Sequence, residues 1–293
     1  MATVLVTGAS GFVGRHAARA LVESGDWVRA LVRSPAAERA VEGLDCQPVR
    51  GSIAHPRSLA YAVDGCDAVV HSVGLIAGSS ATFDRVVAEG TAAVVRAAAK
   101  AGVERFVLVS ALGVGPGAPD VPYFRSKAVA EQTVRESGMS WAIIRPSVVL
   151  GSDGGALPLF VRLARFAPVA PLVAGGRQRI QPVWIGDVAR AIELAVSSRE
   201  DGVIELGGPD VVTWAEFWQQ LRQALGVSRP SPALPWPLLR LVAALPSIPL
   251  TAGQIRMLRG PDNVVSDGGA AITRLGLEDL VPLDEQLQLG LAR

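Results

Sequence analysis

The opening of the chain constrains it most. Thr3–Thr7 is a short run rich in β-branched residues, and Thr7-Gly8-Ala9-Ser10-Gly11-Phe12-Val13-Gly14 follows, with a glycine at every third position before an Ala-rich stretch of helical period. A strand that turns through glycines into a helix suits a phosphate ligand. One glycine permits the tight turn, another lets the backbone approach a diphosphate, and the last lets helix and strand pack closely, while the helix N-terminus offers unpaired N–H groups to the anion. The expected ligand is a dinucleotide, with Thr7, Gly8, Ser10, Gly11, Phe12, Val13 and Gly14 around its phosphates.

The rest of the chain extends this unit. β-Branched runs alternate with longer Ala- and Arg-rich stretches, as in repeated βαβ units and a parallel sheet. Strands are predicted at Thr3–Thr7, Trp27–Val32, Cys46–Arg50, Ala68–His71, Arg105–Ser110 and Ser140–Arg145. Helices are predicted at Phe12–Ser24, Pro56–Val63, Phe83–Ala101 and Tyr123–Ser137, each ended by a breaker: Gly25, Gly65, Gly102 or Gly138. The fold class is therefore α/β, a Rossmann-type doubly wound parallel sheet occupying residues 1–150. After Pro146 the rhythm changes to a Gly-rich loop, a Pro-studded segment and shorter strands at Ile180–Trp184 and Val203–Leu206. Residues 151–293 read as a smaller C-terminal lobe for substrate or partner, packed on the carboxyl edge of the sheet.

Composition excludes several functions. Net charge is +1 with 19% charged residues, so no nucleic-acid partner is expected. Cys46 and Cys66 have neither disulfide nor zinc spacing, and His16, His55 and His71 show no ligand pattern, so no metal is expected. The N-terminus has no secretory pattern and no stretch is long and apolar enough to span a bilayer, which predicts a cytoplasmic protein. The apolar stretch within residues 232–250 is the candidate contact for a membrane surface or a larger complex.

The remaining strand ends supply candidate chemistry. A carboxylate for the ribose 2′-hydroxyl is missing after the second strand, where Arg33 stands and would pair with a 2′-phosphate; NADP(H) is favoured over NAD(H). Ser52 and Ile53 after the third strand, and Ser72, Val73 and Gly74 after the fourth, should border the adenine and the central phosphates and riboses. Tyr123 and Lys127 lie four apart at the start of a helix and share one face, which suits a phenol acid/base assisted by an ammonium that also holds the nicotinamide ribose. Ser110, ending the fifth strand, is the candidate second donor to a substrate carbonyl; if Ala111 takes that place, the donor is missing.

Thr7–Gly14, Tyr123-Phe124-Arg125-Ser126-Lys127, Arg145-Pro146-Ser147 and Pro182-Val183-Trp184-Ile185-Gly186-Asp187-Val188-Ala189 together resemble the extended and atypical short-chain dehydrogenases/reductases of the NAD-dependent epimerase/dehydratase superfamily. The tail, with Gly207-Gly208-Pro209, Leu234-Pro235-Trp236-Pro237, Leu250-Thr251 and Asp262-Asn263-Val264-Val265-Ser266, resembles the branch related to the 39-kDa accessory subunit of respiratory complex I. The resemblance implies a six- or seven-stranded sheet, a nicotinamide dinucleotide at its carboxyl edge and Pro146 beside that cofactor. Three functions follow as expectations: an NADPH-dependent oxidoreductase acting on a carbonyl or quinone-like small molecule, a non-catalytic nucleotide-binding accessory protein, or a sensor of the NADP(H) redox state.

Overall fold

A computed structural model describes residues 1–166, 172–198, 201–227, 256–257 and 260–292. The first half alternates as the hydrophobic pattern requires: β1 (Thr3–Thr7), α1 (Phe12–Glu23), β2 (Trp27–Val32), α2 (Pro35–Arg39), β3 (Gln47–Arg50), α3 (Pro56–Val63) and β4 (Ala68–His71). Then come α4 (Ser80–Phe83), a π-helical segment Asp84–Glu89, α5 (Gly90–Lys100), β5 (Arg105–Val109), α6 (Pro122–Arg135) and β6 (Ser140–Pro146). Beyond these lie β7 (Val149–Gly151), β8 (Gly154–Gly155), α7 (Leu157–Phe166), β9 (Arg179–Ile180), β10 (Val183–Trp184), α8 (Ile185–Ser197) and β11 (Gly202–Leu206). β12 (Val212–Thr213), α9 (Trp214–Ala224), α10 (Ala270–Arg274) and α11 (Leu283–Leu291) complete the described elements.

Seven parallel strands form the main sheet in the order β11-β6-β5-β4-β1-β2-β3. Successive side chains of a strand face opposite layers. Val4 and Val6 therefore meet α1 and α8 through Ala17, Leu21, Val188 and Ile192, while Leu5 belongs with Leu59, Val94 and Ala130 of α3, α5 and α6. The chain runs outward from β1 to β3, returns to β4 beside β1, and continues outward on the other side. That reversal leaves a crevice beyond the carboxyl ends of β1 and β4, where open α/β sheets hold their ligands.

The chain beyond residue 150 serves two places. α8 and β11 complete the main sheet and its helical layer, β11 pairing with β6 from Gly202↔Ala142 to Leu206↔Pro146. A second core forms where Phe160 of α7 meets Trp214, Phe217 and Trp218 of α9 edge to face, with Leu283 and Leu287 of α11 beneath them.

Three local expectations change, the first being the strand predicted over Ile180–Trp184, which is split into β9 and β10 of two different small sheets. The helix predicted over Phe83–Ala101 is interrupted by the π-helical turn, which seats Gly90 where Ile53 crosses; a Cβ there would lie 2.6 Å from Ile53 Cδ1. α2 is additional, and begins because Ser34 Oγ accepts the Ala37 N–H at 3.2 Å and proline stands in its first turn. Cys46 and Cys66 are both free thiols. Among the described residues no helix is long and apolar enough to cross a membrane, and the predicted contact at 232–250 lies outside those residues.

Candidate functional site

The glycine turn is built by backbone contact. Gly8 has φ +78, in the left-handed region, and its carbonyl accepts the Gly11 N–H at 2.8 Å. A Cβ on Gly14 would sit 2.2 Å from that same carbonyl oxygen, so only glycine lets α1 pass so close to the turn. The N-terminus of α1 has no side-chain cap and no acid in its first turn, which leaves its N–H groups and positive dipole end to an anion. This arrangement fits a dinucleotide's diphosphate.

Several predicted contacts act by shaping this turn. The Thr7 carbonyl accepts both the Ser72 N–H (3.1 Å) and the Ser72 hydroxyl (2.8 Å), tying β1 to the loop after β4. The Thr7 hydroxyl lies 2.6 Å from His71 Nδ1, and His71 Nε2 lies 3.1 Å from Thr91 Oγ1, whose own proton goes to the Val87 carbonyl. That last bond orders the chain: Nε2 carries the imidazole proton, and Thr7 donates to Nδ1. Burial first, and then the Lys127 charge, pull His71 down to about 3, so it stays neutral in this chain. Ser10 and Val13 are partly exposed on the turn and the start of α1.

Phe12 turns its ring under the β7–β8 hairpin, so that Cβ atoms on Gly151, Gly154 or Gly155 would lie 2.6, 2.4 and 2.6 Å from it. Asp153 in that hairpin pairs with Arg15 at 2.9 Å and contacts His16 at 3.1 Å. The hairpin thereby fastens to the first turns of α1, a bracket that sequence spacing could not reveal.

At the adenine end Arg33 is exposed just after β2, and no acidic partner among the described residues lies within ion-pair distance of it. Ser52 builds its own turn: its N–H donates to Ser58 Oγ at 3.1 Å, and its hydroxyl accepts the Ala54 N–H at 3.2 Å. Ile53 packs on Gly90, and Val73 follows Ser72 beneath Gly8, where a Cβ would approach the Val73 nitrogen to 3.0 Å.

At the opposite end α6 presents Tyr123 and Lys127 on one face. Proline at its first turn and the extended Val121 set where the helix begins. The buried Lys127 Nζ donates to the Val109 carbonyl at 2.7 Å, and a Cβ on Gly74 would come within 3.6 Å of it. One ammonium proton is thus committed and two remain for a ligand. Burial lowers Lys127 to about 8 against the opposing pull of Glu131. Tyr123 is half-buried, with the Phe83 and Phe124 rings edge-on at 6.0 and 5.2 Å, and burial pushes its phenol up to about 12.

Ser110 is placed elsewhere. Its hydroxyl donates to the buried Glu131 Oε1 at 2.6 Å, and Glu131 also accepts Arg145 Nε (2.9 Å), Arg145 Nη2 (2.7 Å) and Arg135 Nη2 (3.1 Å). Its hydroxyl proton therefore braces α6 against β5 and β6. Ala111 has no hydroxyl, and the following Leu112 is buried, its N–H donating to the Pro146 carbonyl at 2.9 Å. Pro146 thus receives the loop after β5 at the end of β6. Sequence reasoning missed Glu131; the signal available was its spacing of four from Lys127 on a helix, which by itself names only a shared face.

Comparison with known proteins agrees with this geometry. Residues 8–162 match a family model described as NAD(P)H-binding. The chain is 33% identical over 247 residues to the ceramide reductase of Caulobacter vibrioides, spanning 83% of this chain and 76% of that protein. It is 28% identical over 255 residues to the mitochondrial NADH dehydrogenase (ubiquinone) 1 alpha subcomplex subunit 9 of Arabidopsis thaliana, spanning 82% of this chain and 62% of that one. Among solved structures, that of gox2253 superposes with a TM-score of 0.80 at 25% identity, covering 100% of this chain and 97% of the other.

Proposed function

Because this chain belongs to the NAD(P)H-binding family of the short-chain dehydrogenase/reductase superfamily, we propose that it is a reductase in which Tyr123 protonates the oxygen of an apolar carbonyl compound. The observation that carries the reading is the pair at the start of α6: a half-buried phenol held among apolar side chains, four residues before an ammonium anchored on the end of β5. NADPH, when bound, would supply the hydride for the carbonyl carbon.

The residues supply the rest. The turn at Gly8–Gly14 and the α1 N-terminus hold the diphosphate, and the unpaired Arg33 faces a 2′-phosphate, which favours NADP(H) over NAD(H). Lys127 offers its remaining N–H groups toward Gly74 and orients the ribose. A phenol raised to about 12 keeps its proton at neutral pH, so it serves as the acid toward an alkoxide forming on the substrate. The proton is then replaced from solvent.

The surroundings fit an apolar substrate. Ala111, Val114, Val121 and Phe124 form a small cluster with Ala118, Tyr123 and Met257, and Phe83 closes another side of the phenol. The test is oxidation of NADPH in the presence of long-chain ketones and quinones, with Tyr123→Phe as control. Turnover by wild type and its loss in the variant at unchanged NADPH affinity are expected; equal rates would refute the assignment.

Two observations favour a second reading. The hydroxyl that would assist Tyr123 is committed to Glu131, and one relative is a respiratory-complex subunit. A nucleotide-binding accessory protein would hold NADPH and leave it unoxidised with every member of the panel.

A further inference from the structure

The stretch Asp262-Asn263-Val264-Val265-Ser266 reaches the sheet edge from far along the chain and bonds to several separate segments there. Asp262 accepts the Arg179 backbone N–H at 2.9 Å and its Nε at 2.8 Å. Val265 N–H donates to Gln181 Oε1 at 3.0 Å, and Ser266 donates to Glu205 Oε2 from both nitrogen (2.8 Å) and hydroxyl (2.7 Å). Asn263 is the hub. Its N–H donates to the Arg179 carbonyl at 2.8 Å and its carbonyl accepts the Gln181 N–H at 3.1 Å. Its side-chain Oδ1 accepts the Ser147 hydroxyl at 2.6 Å, and Nδ2 donates to the Leu112 carbonyl at 3.2 Å.

The two side-chain partners matter by position. Ser147 follows β6, and Leu112 lies just past β5, so both stand at the carboxyl edge of the sheet. Leu112 is gripped from both sides, its N–H by Pro146 and its carbonyl by Asn263. The chain then turns through Gly113, at φ +90 and close to the Phe124 ring, toward the start of α6. A planar amide of this size both accepts from a hydroxyl and donates to a carbonyl whatever the pH. Leucine could do neither, and an ionised aspartate could only accept.

We propose that Asn263 is a positioning residue that clasps the loops after β5 and β6 together and, through Leu112 and Gly113, fixes the start of α6 that carries Tyr123. The functional weight of the clasp rests on the reductase reading; the clasp itself does not. It gives the tail motif a task that neither the nucleotide site nor the proton donor accounts for.

Asn263→Asp tests it, because the acceptor stays while the donor is replaced by an oxygen facing the Leu112 carbonyl. Backbone hydrogen exchange of the loop 111–118 is measured on the full chain, at about pH 8 and at about pH 3.5, below the ordinary aspartate value of about 3.9, as protection factors. At the higher pH the variant's loop is expected to lose protection by about tenfold while β1 and β4 are unchanged. At the lower pH a protonated carboxyl regains a donor, and protection returns toward wild type, which loosened packing alone would not do. Ser147→Ala, which spares the bond to Leu112, should lose less, about threefold. Wild-type protection in Asn263→Asp at the higher pH, or loss without recovery at the lower, overturns the proposal. If that variant does not fold, unchanged exchange in Ser147→Ala overturns it.

NADPH affinity and turnover are recorded alongside. A fall in kcat/KM of about tenfold in Asn263→Asp with NADPH Kd within about twofold is expected. Failure of wild type to bind NADPH would overturn the reading of the nucleotide site and leave the exchange result to judge the clasp.

Discussion

The two ends of the sheet edge are made of different material. The phosphate end is backbone: Gly8, Gly11 and Gly14 are packed so closely that one added carbon at Gly14 would lie 2.2 Å from a carbonyl oxygen. The reaction end is side chain: Tyr123 and Lys127 owe their environment to Glu131 on their own helix and to Phe83, Arg145 and Asn263, drawn from three other segments. A site made of backbone is limited first by its glycines, with distant residues such as Ser72 and Asp153 only bracing it. A site made of side chains should respond to its remote supports and leave nucleotide affinity alone.

The largest test of that contrast is Tyr123→Phe. Loss of the proton donor should lower kcat by about 10²- to 10⁴-fold in steady-state assays, with NADPH Kd unchanged by calorimetry. A parallel loss of affinity would mean that the two ends are not separable. Gly14→Ala comes next, and should do the reverse: crowding of about 1–3 kcal/mol, seen as roughly ten- to a hundredfold weaker NADPH binding. Arg33→Ala sharpens the comparison within the phosphate end, weakening NADPH by about tenfold or more and leaving NADH untouched.

A pH scan separates the buried groups of the reaction end. Lys127 is lowered from its ordinary 10.5 to about 8, so the fold disfavours its charge; stability should rise between these values as pH increases. Tyr123 is raised from 10 to about 12, so its contribution is full below 10 and is lost as pH climbs through that window. Chemical denaturation of the nucleotide-free protein should therefore show stability peaking near pH 10, and Lys127→Met should erase the rise. The smallest effect belongs to Ser110→Ala. Its hydroxyl braces Glu131, which keeps its arginine donors, so about 1 kcal/mol of stability should go while kcat changes by less than about threefold. A hundredfold fall in kcat would return Ser110 to the catalytic group.

Legibility in the sequence followed the same division. Glycines at fixed spacing between a β-branched run and an Ala-rich run declare a backbone shape, and β1, α1, β2, β4 and the order of units were readable from that and from hydrophobic period. The positions of Arg33 just after β2 and of Tyr123 and Lys127 on one face of α6 were readable because each is local to one strand end or one helix face. Ser110 was not, because the direction of its hydroxyl depends on Glu131, which lies 21 residues later on another element. Asp153 and Asn263 were hidden for the same reason: their partners lie 138 and 151 residues away, and no periodicity links them. The π-helical turn at Asp84–Glu89 escaped because its residues continue the same apolar spacing as the helices beside it.

The measurement that tests the account most directly is a single-turnover experiment in which the protein, loaded with NADPH, is mixed with a long-chain ketone or quinone and the dihydronicotinamide absorbance is followed for wild type and Tyr123→Phe. Stoichiometric oxidation by wild type, slowed at least about a hundredfold in the variant while both bind NADPH equally, is the result predicted. Equal rates in the two proteins, or NADPH held and never oxidised by wild type, would contradict it.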